Sequence, residues 1–151
     1  MKTLIEVGGR LTIEGNSSAA ALDALMEALE NLESARGVYV GFNAALTKIS
    51  LPKLKVLEAA FIIEHNPNLL SISLPALTTG GRYLHVHENA ALVSLSLPSL
   101  TSLSQELSLL DNPRLTSVKI GGRDKPAHIP LVQVRGNGAS SFAQLFSKPT
   151  A

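Results

Sequence analysis

The feature that most constrains this chain is an asparagine that recurs at a constant interval. Asparagine stands at four positions that are each separated by 23 residues: Asn43, Asn66, Asn89 and Asn112. Before each of them lies a segment in which apolar and polar side chains alternate, and apolar residues follow at offsets of three, six and eight. Asn16 and Asn137 extend the series at intervals of 27 and 25 residues. The chain is therefore predicted to be a repeat of about six coils.

Each coil is predicted to contain two short strands. The segments on both sides of the asparagine alternate with period two, and no segment with helical periodicity separates them in the central coils. Stacked coils of this kind place parallel strands about 4.8 Å apart, and each coil buries its apolar side chains against its neighbours. The predicted fold is mainly β: a short right-handed parallel β-solenoid that forms a single domain over residues 1–151.

Composition agrees with a narrow, aliphatic interior. Hydrophobic residues make up 45% of the chain but aromatic residues only 4%, so leucine, isoleucine, valine and alanine must fill the core. The absence of cysteine excludes disulfides and thiolate metal sites. A net charge of +1 gives no basic field for nucleic acid, and no apolar run reaches the roughly 18 residues that span a bilayer. We expect a cytoplasmic monomer that binds neither nucleic acid nor membrane.

The asparagine row is interpreted as a structural ladder. At a sharp corner of the coil, backbone N–H and C=O groups turn inward without a strand partner, and a stacked side-chain amide can satisfy them. Asparagine also tolerates the backbone conformations that tight corners need. The predicted ladder consists of Asn16, Asn43, Asn66, Asn89, Asn112 and Asn137.

Two helices are predicted to cover the exposed ends of the solenoid, because open sheet edges need protection. The first is an insertion at about residues 18–36, where Ser17 and Ser18 offer an N-cap. Its apolar residues follow helical spacing: Leu22, Leu25, Met26, Leu29 and Leu32. The second is a short C-terminal cap at about residues 139–147, with Phe142, Leu145 and Phe146 as its apolar residues.

Three motifs resemble the receptor L-domain, the leucine-rich β-helical ligand-binding domain of insulin- and growth-factor-type receptors. They are VGGRLTIEGN at residues 7–16, SISLPALT at 71–78 and NPRLTSV at 112–118. The resemblance covers residues 4–137. Because the chain contains no cysteine, it resembles bacterial relatives of the family rather than the animal receptors. It implies a non-catalytic scaffold that binds through its surface, which is an inference from the fold class.

The first strands are predicted to direct two rows of side chains outward. One row is Thr12, Tyr39, Ile62, His85, Ser108 and Gln133. The other is Glu14, Gly41, Glu64, His87, Leu110 and Arg135. Exposed apolar residues beside polar ones are typical of protein-binding faces. We therefore predict that another protein, in an adaptor or immunity-type complex, binds at Tyr39, Ile62, Glu64, His85, His87, Leu110, Gln133 and Arg135.

Two other functions stay open at this point. His85 and His87 project to the same side of one strand beside Glu64, an arrangement that could hold zinc or act on a carbohydrate. Alternatively, the solenoid could stack end to end in a structural assembly. The chain contains neither a phosphate-binding loop nor a nucleophile elbow, and we assign no catalytic residue, no cofactor and no metal.

Overall fold

A computed structural model describes residues 4–122 and 127–138 and confirms a parallel β-solenoid of about five turns. In chain order the elements are β1 (Glu6–Glu14), α1 (Ala19–Ala28), β2 (Ser34–Gly41), β3 (Lys48–Ser50), β4 (Val56–Leu57), β5 (Ala60–Glu64), β6 (Ser71–Ser73), β7 (Thr79–Gly80), β8 (Tyr83–His87), β9 (Ser94–Leu97), β10 (Glu106–Leu110), β11 (Ser117–Ile120) and β12 (Leu131–Arg135). Within these two ranges, no helix has the length and apolar character needed to cross a membrane.

Two parallel sheets form the main sides of the solenoid. The first contains β1, β2, β5, β8, β10 and β12 in spatial order, and the second contains β3, β6, β9 and β11. Residues separated by the repeat length are paired, as Ile62 is with His85 and Ile72 is with Leu95. The coil alignment predicted from the asparagine spacing is therefore confirmed. Five turns of chain connect the six strands of the first sheet.

A third, shorter side completes the coil, which the sequence did not reveal. The two residues of β4 pair with Ser34 and Ala35 of β2, and β4 pairs with β7 on its other side. Single bridges continue this row from Thr79 to Ser102 and from Ser102 to His128. Segments of one or two residues are too short for apolar alternation to identify them.

The N-terminal helix is confirmed at its start but is shorter than predicted. The Ser18 hydroxyl accepts a hydrogen bond from the N–H of Ala21 at 3.3 Å and caps α1. The prediction of helix up to residue 36 is wrong, because Ser34–Gly41 forms β2. Ala35 is 2% exposed and pairs with Val7 and Leu57, so sheet formation outweighs helix propensity here. The cap predicted at about 139–147 lies outside the described residues.

Leucine and isoleucine fill the interior as predicted. In each coil, residues at equivalent positions are almost fully buried, for example Leu46, Leu69, Leu92 and Leu115. Leu22, Leu29 and Leu32 add the helical insertion to the same core. Phe61, which is 0% exposed, is the one phenylalanine in this core cluster of the described residues. The narrow interior explains the low aromatic content.

The asparagine ladder is confirmed in full. In all five steps the Nδ2 of one asparagine donates to the Oδ1 of the next at 2.9–3.2 Å. The same Oδ1 also accepts the backbone N–H of the preceding asparagine at 3.1–3.2 Å. The four central members, Asn43, Asn66, Asn89 and Asn112, are 0% exposed. The row therefore satisfies buried backbone groups at the corner.

The residue before each ladder asparagine has a left-handed backbone. These residues are Gly15, Phe42, His65, Glu88, Asp111 and Gly136, with φ between 52° and 70°. Four of them carry side chains, for which this conformation costs roughly 1–2 kcal/mol. The corner geometry is therefore set by the buried ladder, which offsets the strain of the residue beside it.

Candidate functional site

The outward side of the first sheet is the surface on which the predicted site lies, and we call it the front face. The register confirms both predicted rows. Across the sheet, Thr12 aligns with Tyr39, Ile62, His85, Ser108 and Gln133. Glu14 aligns with Gly41, Glu64, His87, Leu110 and Arg135. The eight predicted binding residues are thus brought together on one side of five adjacent strands, β2, β5, β8, β10 and β12.

A third outward row, which the sequence analysis missed, lies two residues earlier along the strands. It consists of Arg10, Gly37, Ala60, Tyr83, Glu106 and Leu131. The two predicted rows did not extend to these positions. Extending the same alternation by one step would have found this row, because side chains two apart on a strand share a face.

Tyr39 points outward as expected, but it does not stand free as an exposed contact. Only 9% of the residue is exposed. The guanidinium of Arg10 lies over the ring at 4.7 Å from its centroid, and the hydroxyl donates to Glu64 Oε1 at 3.0 Å. The ring also occupies the space that a side chain at Gly41 would need. Tyr39 therefore holds Arg10 and Glu64 in place, and its ring is not available as an exposed contact for a partner.

The covered phenol of Tyr39 has an altered acidity. Burial, then the hydrogen bond to Glu64 and the charges of Glu64 and Glu14, raise the pKa of Tyr39 to about 12 from 10.0, although Arg10 opposes the shift. Because the raised pKa favours the neutral phenol in the folded state, its contribution to stability is complete below pH 10. That contribution is lost as the pH rises towards about 12.

Absorbance titration of tyrosinate is therefore expected to show one phenol of the folded protein ionising only near pH 12. Tyr39→Phe should remove this late transition. The assignment would be contradicted if the transition lost in Tyr39→Phe were one with the ordinary tyrosine pKa. Far-UV circular dichroism at each pH establishes that the protein is still folded.

The two histidines of β8 stack on each other. Their ring centroids are 5.1 Å apart and the planes differ by 14°. The Nε2 of His87 lies 2.9 Å from the hydroxyl oxygen of Ser108, which is only 2% exposed. Burial, and to a lesser degree the neighbouring His85, lower the pKa of His87 below its ordinary value. His87 is therefore favoured in its neutral form.

His85 differs from His87 in having a buried ring nitrogen with no hydrogen-bond partner among the described residues. The nearest carboxylate oxygen to this Nε2 is Glu106 Oε2 at 3.9 Å, which is beyond hydrogen-bond distance. Tyr83 packs against the other side of the ring, with centroids 5.4 Å apart. The centre of the front face is thus a cluster of three rings beside one half-buried carboxylate.

The geometry does not assemble Glu64, His85 and His87 into a metal site. Glu64 accepts a hydrogen bond from Tyr39, and the imidazoles lie parallel instead of converging on a point. In the part of the chain that the structure describes, no group of three histidine, cysteine or acidic side chains could hold a metal ion.

The remaining predicted residues surround this cluster. Ile62 and Leu110 are half-buried, whereas Gln133 and Arg135 are exposed. Arg135 lies 3.6 Å from the carboxylate of Asp111 at the corner, which orients it weakly because both groups are solvated.

The outward side of the second sheet, which we call the back face, is chemically uniform. Its rows are Lys48, Ser71, Ser94 and Ser117, and Ser50, Ser73, Ser96 and Lys119. Both tyrosines of the chain lie on the front face instead. The two main sides of one regular coil therefore carry different chemistry.

These features define the class of this protein as a short parallel β-solenoid with one varied and one uniform face. Comparisons with protein-family models, with curated proteins and with solved structures find no match for the chain. The residues of the front face therefore provide the basis for a functional proposal.

Proposed function

We propose that this chain is a non-catalytic protein-binding module that uses its front face. The observation that carries the proposal is the difference between the two faces of the coil. The repeat places serine and lysine on the back face, whereas Tyr83, Ile62 and Leu110 lie among charged and imidazole side chains on the front. Aromatic and aliphatic groups with a polar surround are the composition of protein interfaces.

The side chains of the front face are held in place before any partner binds. Tyr39 is hydrogen-bonded to Glu64, and His87 is hydrogen-bonded to Ser108. The strands beneath them are fixed by continuous parallel pairing and by the buried ladder. A surface that is ordered in advance loses less conformational entropy on binding, which favours specific recognition.

The size of the front face suits a small, reversible interface. Six strands at about 4.8 Å spacing span roughly 24 Å, and five residues along each strand span roughly 17 Å. This footprint is smaller than the roughly 800 Å² that each partner contributes to a standard interface. We therefore expect affinity to depend on a few central contacts, with Ile62 and the ring cluster of Tyr83, His85 and His87 at the centre.

Within this proposal, the chain is a cysteine-free L-domain-type scaffold that acts as an adaptor or as an immunity-type protein. The L-domain-like motifs and the leucine-lined coils support the scaffold assignment.

The proposal predicts that Ile62→Glu combined with His85→Glu will weaken partner binding by at least tenfold. Each change places a carboxylate at the centre of the front face, where it must be desolvated on binding. The measurement is quantitative capture by the immobilised chain from extract of the source cells, with mass spectrometry of what is retained and titration of the retained partner.

Ser71→Glu combined with Ser94→Glu is the matched control. These residues lie on the back face of the same two coils and introduce the same charge. Retained binding by this control, together with loss in the front-face variant, supports the proposal. Equal binding by both variants, or no retained partner at any concentration, would contradict it.

A further inference from the structure

A cavity of about 340 Å³ lies at the end of the front face nearest β1. Its lining includes Arg10, Arg36, Gly37, Ala60 and Ile62. This volume is at the lower end of the range for small-molecule pockets in proteins. We call it the arginine pocket, and nothing in the repeat pattern predicts it.

The pocket lies at a β-bulge between β1 and β2, whose residues Gly9, Arg10 and Arg36 are part of its lining. β1 and β2 pair from Val7 with Ala35, and pairing resumes with Arg10 opposite Gly37. Two glycines, Gly8 and Gly9, therefore lie opposite the single residue Arg36. A bulge of this kind changes the direction of the side chains that follow it.

Arg10 follows the bulge and packs against Tyr39. Its guanidinium lies over the ring of Tyr39 at 4.7 Å, and the phenol is hydrogen-bonded to Glu64. A cation over an aromatic face is held by the ring quadrupole. The Arg10 guanidinium packs on the face of the Tyr39 ring. The N–H groups at the edge of the guanidinium can therefore donate hydrogen bonds to a ligand.

Small residues keep the pocket open. Gly37 is buried, and a Cβ at this position would approach the Ala60 carbonyl oxygen to 3.2 Å. Gly9 lines the opening, and a Cβ on Gly8 or Gly9 would meet nothing within 4 Å. Neither glycine is among the described residues with positive φ, so the backbone tolerates a side chain at both positions. A larger residue at Gly9 would occupy the opening itself.

The chemistry of the lining is an apolar surface beside two cations. Val38, Ala59, Ala60 and Ile62 provide the apolar part. Among the described residues, neither Arg10 nor Arg36 lies within 4.0 Å of a carboxylate in any ion pair of this structure. Guanidinium groups bind carboxylates through two parallel hydrogen bonds, and a ligand with an apolar body satisfies both parts of the lining.

We propose that the arginine pocket binds a small organic acid, with its carboxylate at Arg10 and Arg36 and its apolar body against Ala60 and Ile62. This site goes beyond the proposed protein-binding function and does not depend on it. The pocket holds a single small group, and a free acid fills it without requiring contacts elsewhere on the face.

The test measures binding of cinnamate to the full chain by isothermal titration calorimetry and by amide NMR shifts. Cinnamamide, which has the same shape but no charge, should bind at least tenfold more weakly. Arg10→Gln and Arg36→Gln should each weaken cinnamate binding by about tenfold to a hundredfold, as expected for a charge-assisted hydrogen bond. Arg114→Gln, a change at an exposed arginine outside the pocket lining, should leave the affinity unchanged.

A pair of glycine variants distinguishes this pocket from other arginine surfaces. Gly9→Leu should abolish saturable binding, because its side chain enters the opening, whereas Gly8→Leu, which is not in the pocket lining, should retain it. No saturable binding, equal affinity for cinnamamide, or unchanged binding in Gly9→Leu would overturn the proposal. A tetrapeptide ending in phenylalanine that bound tenfold more tightly than cinnamate would also overturn it, since the ligand would then be a protein C-terminus. Because Ile62 lines the pocket, the two functions are separated with His85→Glu combined with Leu110→Glu, neither of which is in the pocket lining. Loss of partner capture in this variant with cinnamate binding intact shows that the two functions are distinct.

Discussion

Replacement of Asn66 by alanine is expected to lower the free energy of unfolding by about 3–5 kcal/mol. Asn66 is 0% exposed. Its Oδ1 accepts both the backbone N–H and the Nδ2 of Asn43 at 3.1 Å. Its Nδ2 lies within 3.1 Å of three acceptors: Val40 O, Glu64 O and Asn89 Oδ1. Two hydrogens are thus shared among three acceptors.

Alanine removes every one of these interactions and leaves their partners buried. Water cannot reach this corner unless neighbouring coils separate. Each buried backbone group that loses its hydrogen bond to Asn66 therefore incurs a desolvation cost of roughly 1–3 kcal/mol. The repeat adds a further effect, because neighbouring coils depend on each other for burial. Urea unfolding followed by far-UV circular dichroism measures the change, and an unaltered m value will indicate that the native state is preserved.

Asn68→Ala is the matched control in the same coil. Asn68 is exposed and donates one hydrogen bond, to Ala44 O at 2.7 Å. Its removal should cost about 0.5–1 kcal/mol. Asn16→Ala, at the half-buried end of the ladder, should fall between the two. If Asn66→Ala cost no more than Asn68→Ala, the ladder would not be the stabilising element that its geometry indicates.

Replacement of Gly81 by alanine is expected to lower the free energy of unfolding by about 2–4 kcal/mol. Gly81 has φ +72°, and a Cβ there would lie 2.5 Å from the Ala59 carbonyl oxygen and 3.0 Å from the Ala59 backbone nitrogen. The obstacle is backbone, and that backbone is fixed because Ala59 accepts a hydrogen bond from Arg82 N–H. A rotamer change cannot relieve the clash, so neighbouring coils must move apart.

Gly15→Ala separates the two causes of this effect. Gly15 has nearly the same φ, +70°, but a Cβ there would meet nothing within 4 Å. It should cost only about 0.5–1 kcal/mol, since the strain of the left-handed backbone is partly offset by a less flexible unfolded chain. Thermal and urea unfolding of both variants provide the comparison. If Gly15→Ala and Gly81→Ala lowered the free energy of unfolding equally, the cost of Gly81→Ala would come from its backbone conformation alone and not from the close approach of Ala59.

The regular part of the fold was predictable because its signal repeats. A constant asparagine spacing determines which residues align, and the observed register of β5 with β8 follows it residue by residue. The start of α1 was also predictable, since the Ser18 cap is a local interaction. Its end was not, because Ser34 and Ala35 are held in β2 by strands on both sides. The third side of the coil was missed because β4 and β7 contain only two residues each, too few for alternation to identify a strand.

The candidate site was predictable in position but not in detail. Alternation along a strand determines which side chains point outward, and the two predicted rows of the front face follow directly from it. The burial of Tyr39 was not predictable, because it depends on Arg10 of a different strand. The pairing of His87 with Ser108 likewise joins residues 21 positions apart.

The sequence by itself determined the repeat, the ladder and the chemical contrast between the two faces. These properties depend only on which residue types recur at which spacing. The tertiary structure alone decided where that regularity is interrupted. The bulge at Gly8 and Gly9 shifts the pairing of β1 with β2, and this places two arginines around a cavity beside Tyr39. A bulge is set by the pairing of two strands from different coils, and no single segment of the chain encodes it.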